Sequence, residues 1–323
     1  MSRGIVLLVD AETGVATHTG FKVDAGSVEA QVLRELRRMN EHVRVLPFDG
    51  HAVNTLREIR PRVVFNLTEW IDGDRTRDHE IVRALQRVGL RYTGADARCL
   101  QLCRDKPAVN RKLQRAGIDV PNNFVIKAGA RAPTPKRDYP LFVKPAQGDG
   151  SDHIGRKALV RTASELRERV RVLRAKGVGD ILCEEYVDGR DVFVGLLGTP
   201  LRALPPLALV IGKRSKRAPR FATAALKHNP AYGRHWQLRY RELEAPAGVL
   251  RHIAHSSTKV ARVLNLRGYA RLDFRLTADH RLVFIEANPN PDLGRHTFGR
   301  ERCFAGVAYA DLIRRIVTAA CRR

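Results

Sequence analysis

Cysteine is scarce in this 323-residue chain: five residues, at positions 99, 103, 183, 303 and 321, an odd number with no Cys-x-x-Cys pair. That argues against a disulfide framework and a thiolate zinc site, and makes a reducing compartment, the cytoplasm, the expected setting. Long apolar runs are missing as well. The run Gly4-Ile5-Val6-Leu7-Leu8-Val9 stops at Asp10, too short to span a membrane and without the cleavage region of a signal peptide. Aromatic residues are only 6% of the chain, and internal repeats and coiled-coil heptads are lacking. With 44% hydrophobic residues, 25 Gly and 16 Pro, the composition supports one large or two to three modest domains, and argues against collagen-like sequence or wholesale disorder.

Acidic residues are also in short supply: 34 Asp and Glu face 58 Lys and Arg, a formal charge of +24. The basic side chains, 46 Arg and 12 Lys, are scattered among apolar helical positions and are not gathered into a tail. They read as a solvated surface whose field can steer an anionic ligand. Charge alone identifies no site, and nucleic acid is not expected as a specific partner.

The first third alternates apolar runs with helical spacing: Ile5–Val9, then Val28, Val32, Leu36 and Met39, then Val43–Leu46 and Val63–Phe65. This is an α/β pattern. Ile81, Leu85 and Val88 predict a further helix, and Gly89–Gly94 an edge strand running into a turn; this domain closes near residue 103. Asp105-Lys106-Pro107 opens a basic helix ending at Gly117, followed by a strand at Phe124–Ile126 and a Pro-rich linker over 130–137. Tyr139–Pro145 predicts a strand that stops at a Gly-rich loop, Ala146–Ser151. Leu166, Val170 and Leu173 mark a helix, Ile181–Val187 a strand, and Asp188-Gly189 a turn; Thr277–His280 joins two late strands, Ala270–Leu276 and Leu282–Ala287.

Period-two geometry puts Arg271 and Asp273 on one face of the first late strand, and Glu286 and Asn288 on one face of the second. If the strands pair, the four converge. Hard oxygen donors of this kind suit Mg²⁺ shared with substrate phosphates. Lys144, at the end of an apolar strand and before the Gly-rich loop, can aim its ammonium at a phosphate while loop amides contact oxygens. Taken singly, a strand-end lysine or an acid beside a turn is more often a solvated group; the combination is what carries weight.

Read together, Val63-Val64-Phe65-Asn66-Leu67, Gly89–Gly94, Asp105-Lys106, Phe142-Val143-Lys144-Pro145, Glu184–Asp191, Gly268–Asp273 and Glu286-Ala287-Asn288 occur in the order found in the ATP-grasp superfamily. The chain most resembles the D-alanine–D-alanine ligases, over nearly its whole length. That resemblance implies an ATP-grasp fold with a Rossmann-like pre-ATP-grasp domain over 1–103, a central lid domain over 104–187 and a catalytic domain over 188–323. It implies phosphate or nucleotide contacts from Lys106, Lys144 and Ser151, an adenine hinge at Glu184, Glu185 and Val187, and a ribose contact at Asp191. Asp273, Glu286 and Asn288 match magnesium ligands, for two Mg²⁺ ions with Mn²⁺ as an alternative. Arg271 matches the arginine that stabilises the reacting phosphate, and Lys227 a lysine of the substrate-covering loop.

The expected activity is ATP-dependent joining of a carboxylate to an amine through an acylphosphate, on amino acids or small peptides, by a homodimer. Substrate-facing positions depart from the dipeptide ligases. Thr68-Glu69-Trp70 stands where Leu-His-Gly is usual, so Glu69 can meet an amine-bearing substrate. Asp292 replaces a glycine, Thr297 keeps a hydroxyl, Phe298 changes pocket volume, and Glu29 is a candidate carboxylate contact. The alternatives are a different amino-acid or peptide pair, or a degenerate ATP-grasp module acting as a basic nucleic-acid binder.

Overall fold

A computed structural model describes residues 4–18, 20–39, 41–133, 139–148, 153–212, 221, 230–294, 304 and 306–322. Strand β1 (Ile5–Asp10) is buried along its whole length: strands pair with it in parallel on both edges, and its two faces enter separate cores, Val6 and Leu8 in one and Ile5, Leu7 and Val9 in the other. A short hairpin, β2 (Gly14–Thr17) with β3 (Gly20–Val23), follows. Helix α1 (Val28–Arg38) starts where Ser27 Oγ accepts the amide N–H of Ala30 at 3.1 Å, and it buries Val32, Leu33 and Leu36. Strand β4 (Val43–Phe48), helix α2 (Ala52–Ile59) and strand β5 (Val63–Asn66) complete a parallel sheet in the order β4-β1-β5. The edge strand expected over Gly89–Gly94 is a single parallel bridge, Val64 to Tyr92, because the chain turns at once into Gly94 at φ +87°.

Helices α3 (Asp78–Arg87), α4 (Ala97–Arg104) and α5 (Lys106–Arg115) lead out of this sheet. Asp105 caps α5 by accepting from the N–H of Ala108 at 2.9 Å, with Pro107 in the first turn. A central antiparallel sheet is built from β6 (Asn123–Ile126), β7 (Leu141–Pro145), β8 (Leu159–Val160) and β9 (Ile181–Glu185), in the order β6-β9-β7-β8. Helix α6 (Ala163–Ala175) packs on one face, where Leu141, Val143, Ile181 and Cys183 meet Leu166, Val170 and Leu173.

The last sheet runs β13-β12-β10-β14-β15, with β11 paired to β10. Its elements are β10 (Arg190–Gly198), β11 (Arg202–Ala203), β12 (Leu207–Ile211), α7 (Pro230–Trp236), β13 (Leu238–Glu242), α8 (Ala247–Leu264), β14 (Gly268–Leu276), β15 (Leu282–Asn288) and α9 (Tyr309–Cys321). One face, with Val192, Val194, Leu272 and Phe274, joins a core that includes Ile253 and Val260 of α8 and also Val6, Leu8 and Val64 of the first sheet. The other end of β14 reaches a second core through Tyr269, which shares it with Leu7, Phe65 and Ile313 of α9. The central sheet keeps its own core.

Candidate functional site

Alternation along β7 and β9 decides what the central sheet offers on its free face. Val143 and Cys183 point to α6, so Phe142, Lys144 and Glu184 point away from it. Lys144 Nζ and Glu184 Oε2 lie 2.7 Å apart with side chains only 3% and 4% exposed, and Glu184 Oε1 accepts from Asn110 Nδ2 of α5 at 3.1 Å. Lys106, also buried, donates its ammonium to the carbonyl of Gly148.

The face of β14 opposite the large core carries Tyr269, Arg271, Asp273 and Arg275 in succession. Its register with β15 sets Arg271 opposite Asn288 and Asp273 opposite Glu286, with an irregularity after Asp273 that shifts the ladder by one residue. The four side chains read from sequence therefore share one surface. Arg271 grips Asp273 with two bonds, Nε to Oδ1 at 2.6 Å and Nη2 to Oδ2 at 3.2 Å.

Between this surface and the free face of the central sheet lies an open cleft of about 760 Å³. Lys106, Lys144, Glu184 and Glu185 line it from one side, and Val187, Asp191, Asp273 and Glu286 from the hinge and the last sheet. Phe142, Phe193, Phe221 and Ile285 give it apolar walls, with Phe142 and Phe221 edge to face at 4.9 Å. Arg271 and Asn288 stand two register positions along the same strands. Glu185 also accepts from Asn122 Nδ2 at 2.7 Å.

Asp273, Glu286 and Asn288 provide two carboxylates and an amide. Among the described residues, no group of three His, Cys, Asp or Glu side chains is arranged to hold a metal, so the amide is needed to complete a donor set. Among the described residues the Nδ2 of Asn288 is buried with no hydrogen-bond partner, and each Asp273 oxygen keeps a lone pair beyond its bond to Arg271. An all-oxygen donor set of this kind fits Mg²⁺.

Two buried groups that the sequence motifs pass over organise the site. Arg275, only 4% exposed, donates to the carbonyls of Val187 (3.1 Å) and Gly189 (3.0 Å), to Asp191 Oδ1 (3.0 Å) and to the hydroxyl of Tyr186 (2.9 Å). It thereby ties the whole 186–191 turn to β14. Its signal in the sequence is its phase: it continues the 271, 273 series by two. Asp10, at the carboxyl end of β1, accepts the backbone N–H groups of Glu69 (3.1 and 3.0 Å) and Trp70 (3.2 Å). Burial outweighs those bonds and pushes its carboxyl up to about 6.

The substrate candidates among the described residues, Glu29, Glu69 and Asp292, are not in the lining of the cleft. Glu69 is half exposed and paired with Arg75 at 3.1 Å, whose guanidinium also sits 5.1 Å from the Trp70 ring centre. Asp292 accepts the N–H of Gly294 at 2.8 Å. Glu69 and Asp292 both add to the burial that raises the phenol of Tyr269, so they flank the start of the Tyr269–Arg275 row. Glu29, in the first turn of α1, adds its negative charge to the rise of the Asp10 carboxyl. Ser151, Lys227 and Thr297 lie outside the described residues.

Comparison with known proteins gives consistent findings. Residues 113–318 match the family described as D-ala D-ala ligase C-terminus. An uncharacterized protein of Sinorhizobium fredii is 27% identical over 320 residues, covering 92% of this chain and 88% of that protein. A D-alanine–D-alanine ligase of Aquifex aeolicus is 27% identical over 282 residues, 87% of this chain and 88% of the relative. The crystal structure of D-alanine–D-alanine ligase from Bacillus anthracis superposes with a TM-score of 0.72 over 100% of this chain and 98% of that one, at 16% identity. Its complex with ATP gives 0.71 at 16% identity, over 99% and 98% of the two chains. The ATP-grasp fold expected from the sequence is therefore the fold observed. Among the described residues no helix is long and apolar enough to cross a membrane.

Proposed function

The chain belongs to the D-alanine–D-alanine ligase family of ATP-dependent carbon–nitrogen ligases, and from that premise we propose that it joins the carboxylate of one amino acid or small peptide to the amine of another through an acylphosphate. The observation that carries this reading is the cleft in which Lys144, Glu184, Asp191, Asp273 and Glu286 from two sheets and Lys106 from the start of α5 converge. A carboxylate oxygen attacks the γ-phosphorus of ATP and the bond to the bridging oxygen breaks, releasing ADP. The amine then attacks the acyl carbon, phosphate leaves, and a proton is lost from nitrogen.

In this reading Lys106, Lys144 and Ser151 hold the phosphates, the strip Glu184, Glu185 and Val187 receives the adenine between apolar walls, and Asp191 takes the ribose. Arg271 faces the transferring phosphoryl group, where a fixed cation stabilises spreading negative charge better than mobile water. Asp273, Glu286 and Asn288 would hold two Mg²⁺ ions, or Mn²⁺, which when bound neutralise phosphate charge. Lys227 is assigned an additional phosphate contact over the substrate. Glu29, Glu69, Asp292 and Thr297 are assigned to the substrate side, and the carboxylate at Glu69 favours a pair other than D-alanine with D-alanine. The division at 1–103, 104–187 and 188–323 is the modular frame of this reading; the separate core of the central sheet supports it. A homodimer in the cytoplasm completes it, the latter supported by the free Cys99, Cys103, Cys183 and Cys321.

The test is incubation with ATP, Mg²⁺ and a panel of D- and L-amino acids and small peptides, with products identified by mass and ADP and phosphate quantified. An amide product with stoichiometric ADP is expected. ADP release independent of any acceptor, with no amide across the panel, would sink the assignment.

A further inference from the structure

Strand β15 ends at Asn288, and the chain continues through Pro289-Asn290-Pro291-Asp292. Neither proline has an N–H to donate, yet this stretch joins Asn288, on the metal side of the proposed site, to Asp292, on its substrate side. Its side-chain anchor is Asn290, whose Oδ1 accepts the N–H of Ala95 at 2.9 Å across 195 residues of sequence. A Cβ on Gly94, which sits at φ +87°, would fall 2.4 Å from that same oxygen. So close an approach requires glycine.

From Ala95 the bonding continues inward. Thr93 Oγ1 accepts the N–H of Asn66 at 3.0 Å, and Asn66 Oδ1 accepts the N–H and the hydroxyl of Thr68 at 3.2 and 2.6 Å. The next two N–H groups, of Glu69 and Trp70, go to Asp10. Asn66, Thr68, Thr93 and Asp10 are each 7% exposed or less. A buried polar row adds little net stability, and the first and last sheets are already joined by two shared apolar cores. What the row adds is position, because a displaced buried donor loses its acceptor at full cost. It runs from the 289–292 stretch to the loop that bears Glu69.

We propose that Asn290 is a positioning residue for amide formation: by holding the 289–292 stretch against Ala95, it keeps Asp292 in register with the loop of Glu69, so that the amine and not water meets the acylphosphate. The proposal rests on the ligase reading above. When the register slips, water attacks the acyl carbon in place of the amine, phosphate leaves and the carboxylate is regenerated, so ADP and phosphate form without amide. Nucleotide binding survives the slip, since Asn288 stays paired with Arg271 and the lysines lie on other elements.

The test gives wild type, Asn290→Ala and Asn290→Asp ATP, Mg²⁺ and a panel of D- and L-amino acids and small peptides. Amide formed per ADP released is measured for every pair the wild type joins, and calorimetry reads the affinity for ATP with Mg²⁺. Asp keeps an acceptor oxygen for the Ala95 N–H; Ala removes it. Asn290→Ala is expected to lower amide per ADP by about fivefold or more with ATP affinity within about twofold, and Asn290→Asp to stay within about twofold of wild type in both, because a small misplacement acts on the amine step alone. An unchanged ratio in Asn290→Ala, a loss of ATP affinity in step with turnover, or an Asp variant as impaired as Ala would overturn the proposal. Should Asn290→Ala not fold, Gly94→Ala displaces the same oxygen from the other side: its amide per ADP must fall likewise, and a wild-type ratio overturns the proposal. A wild type that releases ADP and forms no amide with any pair refutes the ligase reading itself.

Discussion

The Lys144–Glu184 pair offers the sharpest test of how the cleft is held. Both side chains are under 5% exposed, their charged atoms are 2.7 Å apart, and Asn110 donates to the second oxygen of Glu184 at 3.1 Å. Removing one partner strands the other in a medium that cannot solvate it, at a cost of about 3–5 kcal/mol. Glu184→Leu should therefore destabilise the protein by that amount, with about 1 kcal/mol more for the Asn110 amide left without its acceptor. Lys144→Met strands a carboxyl instead. A carboxyl can escape by taking a proton, at about 1.4 kcal/mol per pH unit above the ordinary carboxyl range, so this variant's deficit should shrink as the pH is lowered from 7 towards 5.

The double replacement Lys144→Met with Glu184→Leu removes both charges and restores apolar volume. Its stability should return to within about 1 kcal/mol of the wild type, because a buried pair gains little net free energy over a packed hydrophobic substitute. ATP-dependent turnover should nonetheless be lost. Urea unfolding followed by far-ultraviolet circular dichroism at pH 5, 6 and 7 reads the first quantity, and ADP release reads the second. If Glu184→Leu costs less than about 1 kcal/mol, as a solvent-screened pair would, the buried-pair argument is wrong. If the double variant turns over normally, Lys144 has no role at the phosphates.

Arg275→Met removes four bonds to the 186–191 turn and should raise the KM for ATP by about tenfold or more, since bonds from a charged donor contribute about 1.5–3 kcal/mol each; steady-state kinetics check it, and an unchanged KM would detach the turn from the nucleotide. Gly94→Ala forces a Cβ to within 2.4 Å of Asn290 Oδ1 at φ +87°, and should cost about 1–2 kcal/mol from the left-handed backbone alone, read as a lowered Tm. Asp10, whose carboxyl is held near 6 against 3.8 for the unfolded chain, keeps its proton in the folded state when the unfolded chain has lost it. Its contribution is present below about pH 4 and is lost as the pH rises to about 6, so Asp10→Asn should remove that decline from a plot of denaturation midpoint against pH. Glu286→Ala should weaken the dependence of turnover on Mg²⁺ concentration; an unaltered metal titration would exclude it as a ligand.

What was legible in the sequence is what local periodicity encodes. The late hairpin, its polar Thr277–His280 connection and the shared face of Arg271, Asp273, Glu286 and Asn288 follow from alternation and a turn, and the register of β14 with β15 puts them in line. Phe142 and Lys144 could be phased in the same way. Arg275 and Asn290 were not legible because their meaning depends on partners far along the chain: Arg275 reaches Asp191 through the β10–β14 pairing, and Asn290 reaches Ala95 across 195 residues of sequence. Strand β10 itself is masked in the pattern by Gly195 amid Phe193, Val194, Leu196 and Leu197, which reads as a plain apolar run. Gly89–Gly94 shows the reverse case, where strand-like residues yield one bridge because Gly94 turns the chain beneath Asn290.

The way the cores are divided bears on how such a cleft can work. The first and last sheets share two apolar cores, so Val6 and Leu8 are packed in the same cluster as Val194 and Leu272, and Leu7 in the same cluster as Tyr269. Moving those sheets relative to each other would open buried apolar surface at about 25 cal/mol per Å². The central sheet buries its own cluster on α6 and faces the cleft with Phe142, Lys144 and Glu184, so displacing it exposes far less. Among the described residues its polar ties gather at two places: Asn110 to Glu184, Lys106 to the carbonyls of Ala146 and Gly148, and the Gly148 N–H to the carbonyl of Arg104 at the α4–α5 side, and Arg281 to Glu185 at 3.6 Å from the late hairpin. Arg275 fixes the turn through which the chain leaves β9. Motion of the central sheet against a rigid base formed by the other two is therefore the lowest-cost deformation of this fold. Cutting the Asn110 tie with Asn110→Ala should increase amide exchange in β7 and β9 while leaving β1 and β14 protected, and uniform loosening of all four strands would contradict that division.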